Sequence, residues 1–139
     1  FNTYGPRMDP WDGRVVSTFV RQALAGEVLT VFGNGNQTRS FCFVSDMVKG
    51  LVAAMESTQC GPINLGNPQE FTLRELANCV GQAVGVEVEL DFGPLPQDDP
   101  QRRQPDIGLA MSALGWKPEV PVDQGLRLTV EWMREHLHH

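Results

Sequence analysis

The sequence has 139 residues, of which 41% are hydrophobic, 8% aromatic and 20% charged, and its formal net charge is -6. A chain of this length is long enough to bury a core within one domain, and its apolar content is too high for a disordered chain. No apolar run approaches the roughly 18 residues that cross a bilayer. The negative charge argues against a nucleic-acid or anionic-membrane partner bound through a general positive field.

Cysteine and histidine usage indicates neither a disulfide framework nor a metal site. The three cysteines, Cys42, Cys60 and Cys79, are odd in number and lack C-x-x-C spacing, which favours a reduced, cytoplasmic setting. The histidines all lie within residues 136–139, which is typical of a helix end or a purification tag. Because the chain begins at Phe1 without an initiator methionine or a signal peptide, we expect a fragment.

The first third of the chain predicts a helix followed by a hairpin. Apolar residues spaced three and four apart predict a helix over 13–25, and Gly26 ends it. Residues 29–32 are the next apolar run and predict a short strand. The Asn-Gly pair at 34–35 is typical of a tight turn, so a returning strand is expected over 40–44.

A second helix is expected after Ser45 or Asp46, either of which provides an N-cap. Its apolar residues recur at helical spacing and predict a buried face made of Met47, Val48, Leu51, Val52 and Met55. Residues 62–65 are a candidate buried strand.

The next segment predicts a capped helix, a strand and a loop. Thr72 and Glu75 form a capping box that opens a third helix, and Gly85 ends it. Residues 86–90 alternate between apolar and acidic side chains and predict a half-exposed strand. The four prolines within 93–105 predict a loop.

Two further helices complete the expected fold. Asp106 is expected to cap a short helix that ends at Gly115, and a last helix follows Pro121. The elements total about five helices and about four short strands. Since this mixture lacks a regular strand–helix–strand rhythm, we expect an α/β chain in the form of a small α+β-like subdomain.

Few residues support catalysis by side chains. The Gly-Asn-Gly run at 33–35 is neither a dinucleotide fingerprint nor a P-loop, since no third glycine or Gly-Lys-Ser/Thr follows. Tyr4 is the only phenol and no histidine lies inside the chain, so neither a Ser/His/Asp nor a Cys/His arrangement can be assembled. Asp98 and Asp99 are adjacent, so their carboxylates point apart and do not form a glycosidase pair.

Arginine is the more informative residue type, because nine of the 11 basic residues are arginines. Four of them lie at element edges or in the proline-rich loop: Arg14, Arg39, Arg102 and Arg103. One alternative is that they converge on a diphosphate, with charge-assisted hydrogen bonds of about 1.5–3 kcal/mol each. The other is that nearby aspartates neutralise them at the surface: Asp98, Asp99 and Asp106. Composition alone favours the second alternative.

Several motifs, in order along the chain, resemble the second half of the extended short-chain dehydrogenase/reductases, the NAD-dependent epimerase/dehydratase family. They are FNTYGPRM at 1–8, DGRVVS at 12–17, QTRSF at 37–41, VSD at 44–46 and INLGNP at 63–68. Within that family, QDDPQRRQPDI at 97–107 and LGWKP at 114–118 are most similar to the UDP-glucuronate decarboxylases (UDP-xylose synthases).

The resemblance implies an NAD-dependent carboxy-lyase with a Rossmann-type fold. In such enzymes tightly held NAD oxidises the sugar C4 hydroxyl, the resulting β-keto acid loses CO2, and NADH reduces the ketone to give UDP-xylose. The resemblance further implies a UDP-sugar substrate and a homodimer in the complete enzyme, with neither nucleic acid nor membrane as a partner.

Five residues match the family's substrate positions. Asn2 matches a substrate-contacting asparagine, Phe32 an aromatic residue packed on the uracil ring, and Arg39 an arginine that grips the diphosphate. Arg103 matches an arginine that reaches the nucleotide-sugar and assists the decarboxylation, and Arg102 beside it is the weaker candidate. The resemblance therefore favours the diphosphate alternative for the arginines.

Two residues, Thr3 and Arg14, match positions beside the NAD. The family's Gly-rich fingerprint and Tyr-x-x-x-Lys pair are not in the sequence, and no lysine lies four residues after Tyr4. We therefore expect residues 1–139 to be a single C-terminal, nucleotide-sugar-binding portion that lacks the NAD-binding Rossmann half and is inactive by itself.

Two alternatives stay open. The first alternative, within the same family, is another nucleotide-sugar epimerase or a 4,6-dehydratase. The loop at 97–107 argues against it. The second alternative, in a different class of protein, is a non-catalytic module that binds a nucleotide-sugar or a protein.

Overall fold

The structure, a computed structural model of the chain, describes residues 1–95, 97 and 100–137. Over these residues it contains five helices: α1 (Val15–Ala25), α2 (Val44–Glu56), α3 (Leu73–Val84), α4 (Gly108–Leu114) and α5 (Val122–His136). Over the same residues it contains seven strands: β1 (Thr3–Tyr4), β2 (Leu29–Phe32), β3 (Thr38–Ser40), β4 (Cys42–Phe43), β5 (Glu70–Thr72), β6 (Leu90–Gly93) and β7 (Arg102–Arg103). The expected α/β class and the five helices are confirmed. The strands outnumber those expected because several have only two residues, too few for a periodic pattern.

Local signals predicted some helix ends and missed others. The expected caps of α2, Ser45 or Asp46, lie inside its first turn, since α2 begins at Val44 and its N-cap is Phe43. Gly26 ends α1 with a φ of 69°, a left-handed conformation that glycine adopts without steric cost. At the start of α3 the capping box is present: Glu75 N donates to Thr72 Oγ1 at 3.1 Å, and Thr72 N donates to Glu75 Oε2 at 2.7 Å. These ends depend on residues within one helical turn, which is why the sequence indicates them.

The predicted hairpin between 29–32 and 40–44 is wrong. β2 pairs along its whole length with β6, in parallel, and not with β3. A two-residue Asn-Gly turn needs a positive φ at both of its residues. Here Gly33 and Gly35 have positive φ values of 81° and 78°, whereas Asn34 is not among the residues with positive φ. The chain turns at this point without returning alongside β2.

β3 is instead the central strand of a three-stranded sheet, antiparallel to β5 and parallel to β7. β1 pairs in parallel with β4. The strand expected over 86–90 begins only at Leu90, and residues 62–65 form no strand, since Leu65 packs in a small core instead. These pairings join distant parts of the chain, so no local pattern indicates them.

The apolar side chains form two cores. In the larger one α1, α3 and α5 pack together, with Phe19, Leu29, Leu76, Leu126 and Met133 almost completely buried. The smaller one lies between α2 and α4 and contains Cys42, Leu65, Ile107, Ala110 and Trp116. In the described part of the chain, no helix has the length and apolar character of a membrane span.

The face of α2 that was predicted to be buried is mostly exposed. Its apolar residues are 46% to 84% exposed: Val48, Leu51, Val52 and Met55. The helix buries the side that carries Asp46 and Gly50. A helical apolar pattern identifies a face, but it does not show whether another part of the protein covers that face. An exposed apolar patch is typical of a contact surface.

A buried carboxylate joins α2 to the segment that precedes α5. Asp46 is fully buried in the first turn of α2, where the helix dipole favours a negative charge. Its Oδ2 accepts hydrogen bonds from Glu119 N at 2.9 Å and from Val120 N at 2.8 Å. Its backbone carbonyl accepts one from Trp116 Nε1 at 2.9 Å. These bonds attach the small core and the start of α5 to α2.

Replacing Asp46 by alanine removes the acceptor of two backbone N–H groups. Because hydrogen bonds to a charged partner contribute about 1.5–3 kcal/mol each, we expect Asp46→Ala to lower the free energy of unfolding by about 3 kcal/mol. Asp46→Asn keeps an acceptor oxygen and should lose about half as much. Urea denaturation measures both changes. The matched control is Asp91→Ala at an exposed position, expected within about 0.5 kcal/mol of the parent chain; equal stability of the two alanine variants would contradict the structural role of Asp46.

Candidate functional site

The three-stranded sheet brings two of the predicted arginines side by side. β7 pairs in parallel with β3, so that Arg103 lies directly opposite Arg39. Residues opposite each other in a sheet point to the same face. Both side chains line cavities that also contain Asn2 and Thr3 from the start of the chain. Strand register therefore makes neighbours of two arginines that are far apart in the sequence.

Three adjoining cavities on this face form one open cleft. The first, of about 460 Å³, is lined by Asn2, Thr3, Arg14 and Arg103. The second, of about 120 Å³, shares Asn2, Thr3 and Arg14 with the first and adds Arg39. The third, of about 340 Å³, contains Arg39 and Phe32. We call the three together the arginine cleft, which six of the seven predicted site residues line: Asn2, Thr3, Arg14, Phe32, Arg39 and Arg103.

Asp12 holds Arg14 at the start of α1. Arg14 Nε lies 2.6 Å from Asp12 Oδ2, and Arg14 Nη1 donates to the carbonyl of Thr3 at 3.4 Å. Asp12 Oδ1 also accepts from Arg14 N at 2.9 Å and from the Ser17 hydroxyl. Partial burial acts to raise the pKa of Asp12, but the hydrogen bonds from Ser17 and Arg14 outweigh it and lower the pKa. The ionised carboxylate therefore keeps Arg14 at the edge of the cleft.

Arg39 and Arg103 differ in burial. Arg39 is only 9% exposed, and its Nη1 donates to the carbonyl of Thr38 at 2.7 Å. Arg103 is exposed, and its guanidinium has no hydrogen bond or ion pair within the described residues. Asn2 is fixed beside them, because its Nδ2 donates to the carbonyl of Ser40 at 3.3 Å. The cleft thus has a fixed cation at its base and an accessible one at its rim.

An exposed aromatic ring lies at the other end of the cleft. Phe32, the last residue of β2, is 51% exposed and borders the same cavity as Arg39, Thr18 and Thr30. The carbonyl of Phe32 accepts a hydrogen bond from Gln37 Nε2 at 2.5 Å. The sequence analysis did not identify Gln37 as a site residue, because the burial of a polar side chain cannot be read from the sequence. An exposed ring beside cationic groups offers a stacking surface to a planar base.

Tyr4 does not belong to the cleft. It is buried in the larger core, and its hydroxyl donates to the carbonyl of Val122 at 3.4 Å. Burial raises the pKa of the Tyr4 hydroxyl well above its usual range, with smaller contributions from Cys42 and nearby acidic groups. Tyr4 is therefore a packing residue and not a proton donor or acceptor for the cleft.

Arg102 lies on the opposite face of the sheet from Arg103. Its Nε and Nη2 each donate to a different carboxylate oxygen of Glu70 at 2.7 Å, and Nη2 also donates to Gln104 Oε1 at 2.7 Å. Adjacent residues of a strand point to opposite faces, so Arg102 does not join the arginine cleft. No local pattern in the sequence indicates Glu70, which meets Arg102 only because β5 and β7 flank β3.

The aspartates expected to neutralise the arginines have different positions. Asp106 Oδ1 accepts a hydrogen bond from Gly108 N at 2.9 Å. The expectation that Asp106 caps α4 is nevertheless wrong, because the N-cap is Ile107 and Asp106 lies one residue before it. Asp98 and Asp99 lie outside the described residues. Among the described residues, Glu70 pairs with Arg102 and Asp12 pairs with Arg14.

The cleft chemistry suits an anion next to a planar group. The guanidinium groups of Arg14, Arg39 and Arg103 supply forked donors that fit phosphate or carboxylate oxygens, and an anion between them offsets their mutual repulsion. Thr3 and Arg14 fit one edge of a dinucleotide such as NAD, through a hydroxyl and a cation, but two residues do not enclose one. No group of three or more His, Cys, Asp or Glu residues able to hold a metal occurs among the residues that the structure describes.

Comparison with known sequences agrees with the motifs. The model of the NAD dependent epimerase/dehydratase family matches residues 1–66 of the chain. Over its full length it is 54% identical, across 139 residues, to UDP-glucuronic acid decarboxylase 1 of Xenopus tropicalis, with 100% of this chain and 33% of that protein covered. It is 55% identical over 137 residues to UDP-glucuronic acid decarboxylase 6 of Arabidopsis thaliana, covering 99% of this chain and 40% of that protein. The chain therefore spans about a third of the length of these curated relatives.

Solved structures of UDP-sugar epimerases share the fold. UDP-glucose 4-epimerase from Thermotoga maritima, solved with UDP-glucose, superimposes with a TM-score of 0.93 at 34% identity, over 98% of this chain and 44% of that one. UDP-glucuronic acid 4-epimerase from Bacillus cereus, solved with UDP-glucuronic acid and NAD, gives 0.91 at 27% identity over 98% and 44% of the two chains. The resemblance inferred from the motifs is thereby confirmed at the level of the family.

The Glu70–Arg102 pair predicts an acid-sensitive contribution to stability. Hydrogen bonds from Arg102, and then from Thr38, lower the pKa of Glu70. A carboxyl with a lowered folded-state pKa stabilises the fold above its usual titration range, and this stabilisation is lost as the pH falls through the lowered pKa. Glu70→Gln is therefore expected to lower Tm at neutral pH, with a difference from the parent chain that shrinks from pH 7 to about pH 3. Glu131→Gln, at an exposed position of α5, is the charge-matched control; a pH-independent difference for Glu70→Gln would contradict this prediction.

Proposed function

We propose that residues 1–139 form the C-terminal, nucleotide-sugar-binding portion of an NAD-dependent UDP-glucuronate decarboxylase, which converts UDP-glucuronate to UDP-xylose and CO2. The observation that carries the proposal is the arginine cleft, where cationic and aromatic side chains border neighbouring cavities that share lining residues. The 54% identity to a UDP-glucuronic acid decarboxylase along the whole chain supports the choice of substrate.

In this proposal the nucleotide lies along the cleft from Phe32 to Arg39. The uracil ring stacks on the exposed ring of Phe32, and the diphosphate accepts hydrogen bonds from Arg39 at the base of the cleft. Arg39 is already held by Thr38, so little side-chain freedom is lost on binding. The preformed position of this cation supports a role as the diphosphate anchor.

The sugar then points toward Asn2 and Arg103. The exposed guanidinium of Arg103 fits the glucuronate carboxylate as a bidentate partner and orients it for loss of CO2. Asn2 is fixed by the hydrogen bond from its Nδ2 to the carbonyl of Ser40, and it offers Oδ1 and its second Nδ2–H to a sugar hydroxyl. Thr3 and Arg14 border the side of the cleft where NAD is expected. NAD, when bound, supplies the oxidation and the later reduction at the sugar.

A nucleotide-sugar 4-epimerase is the second candidate, because solved epimerases share this fold at TM-scores of 0.91–0.93. Their sequence identity to the chain is 27–34%, below that of the decarboxylases. Product analysis of the complete enzyme, with its NAD-binding half, separates the two activities: a decarboxylase releases CO2 and a pentose nucleotide, whereas an epimerase keeps the carbon count. Binding by that complete protein without either product would support the non-catalytic module.

Titration calorimetry with UDP and with UDP-glucuronate tests the proposed site. We expect saturable binding of both ligands. Arg39→Met keeps the buried stem but removes the cation, and we expect it to weaken UDP binding by at least about tenfold, because a charge-assisted hydrogen bond contributes about 1.5–3 kcal/mol.

Arg127→Met is the matched control, since Arg127 is exposed on α5 and pairs only with Asp123 among the described residues. Equal effects of the two arginine variants would contradict the assigned role of Arg39. A folded chain, verified by circular dichroism, that binds neither ligand would contradict the proposed function.

Phe32→Leu tests the base-binding end of the cleft. Since stacking of a base on an aromatic ring contributes about 1–3 kcal/mol, UDP affinity should fall by about tenfold. The affinity for inorganic pyrophosphate, which lacks the base, should not change. Phe92→Leu on the neighbouring strand is the control, because the Arg74 guanidinium already stacks on the Phe92 ring, 4.3 Å from its centroid. A loss of pyrophosphate binding in Phe32→Leu would indicate structural damage and contradict the stacking role.

A further inference from the structure

One ion pair spans the whole three-stranded sheet. Glu70 on β5 and Arg102 on β7 lie on either side of the central strand β3, yet two hydrogen bonds of 2.7 Å join them. Thr38 on β3 donates to the same carboxylate at 2.8 Å, so all three strands meet at Glu70. Neighbouring strands are about 4.8 Å apart, so only long side chains reach across two spacings.

A second bond joins the same two segments. Gln104, just after β7, donates from Nε2 to the carbonyl of Pro68, just before β5, at 2.8 Å. Gln104 Oε1 in turn accepts from Arg102 Nη2 at 2.7 Å. Arg102 and Gln104, the residues on either side of Arg103, therefore belong to one hydrogen-bonded network on the face away from the cleft.

β7 needs such support because its own pairing is slight. It has two residues at the edge of the sheet, both exposed. On the cleft face its pairing sets Arg103 directly opposite Arg39. An attachment on the other face keeps these two residues adjacent, where one anionic ligand can contact both.

We propose that Glu70 and Arg102 are positioning residues that hold β7 against β3 and thereby present Arg103 to the sugar carboxylate beside Arg39. They act on the ligand only through Arg103, and they do not contact it. This role rests on the proposed function, because it assigns Arg103 to the glucuronate end of the substrate and leaves UDP to Arg39 and Phe32.

The test is a double-mutant cycle on ligand binding, with UDP as the internal reference. Glu70→Gln is expected to weaken UDP-glucuronate binding about fivefold to tenfold and UDP binding less than twofold. Arg103→Ala should cause a loss of the same kind, and Glu70→Gln should add little to it, since residues that act through one another are not additive. The charge swap Glu70→Arg with Arg102→Glu should recover most of the affinity for UDP-glucuronate. Glu131→Gln is the control and should leave both affinities unchanged.

Additive losses in the Glu70→Gln, Arg103→Ala double variant, or equal losses for UDP and UDP-glucuronate, would overturn the positioning role while leaving the proposed function intact. Absence of UDP binding in the folded parent chain would instead overturn the proposed function. Hydrogen exchange of the Arg103 amide gives a readout without ligand: it should be faster in Glu70→Gln than in Glu131→Gln. Unchanged exchange would overturn the positioning role whatever the ligand does.

Discussion

The parallel pairing of β7 with β3 is the constraint on which the cleft depends. It sets Arg103 opposite Arg39 and, one residue earlier, Arg102 opposite Thr38. Because side chains alternate between the faces of a strand, the same register sends one arginine into the cleft and the other toward Glu70. A shift of one residue would exchange the two roles, so the register decides which guanidinium can meet a ligand.

The remaining elements hold the other walls of the cleft in place. α1 carries Arg14 at its start, where Asp12 fixes the guanidinium. β2 ends at Phe32, and its pairing with β6 keeps the ring at the cleft border. Far from the cleft, the buried Asp46 ties α2 to the start of α5. Arg14 and α2 are held by charged side chains with specific partners, Asp12 and Asp46, whereas Phe32 is held by backbone strand pairing.

The helices and some of their ends could be predicted from the sequence, since caps and apolar spacing act within a few residues. Thr72 with Glu75 and the left-handed Gly26 are examples. The N-caps of α2 and α4 are Phe43 and Ile107, which make no side-chain cap hydrogen bond and so have no sequence signal. The strand partners could not be predicted: the Asn-Gly pair at 34–35 indicated a hairpin, but Asn34 lacks the positive φ that this turn requires. The exposed face of α2 was equally hidden, because a pattern of apolar residues carries no information about what covers it.

For the site, the resemblance by itself identified six residues that line the arginine cleft. Only the tertiary structure separated Arg103 from Arg102, and it revealed Glu70 as the partner of Arg102 and Gln37 as the partner of the Phe32 carbonyl. That decision belongs to the pairing of strands distant in sequence, where the partner and the register are set by the whole fold and not by neighbouring residues.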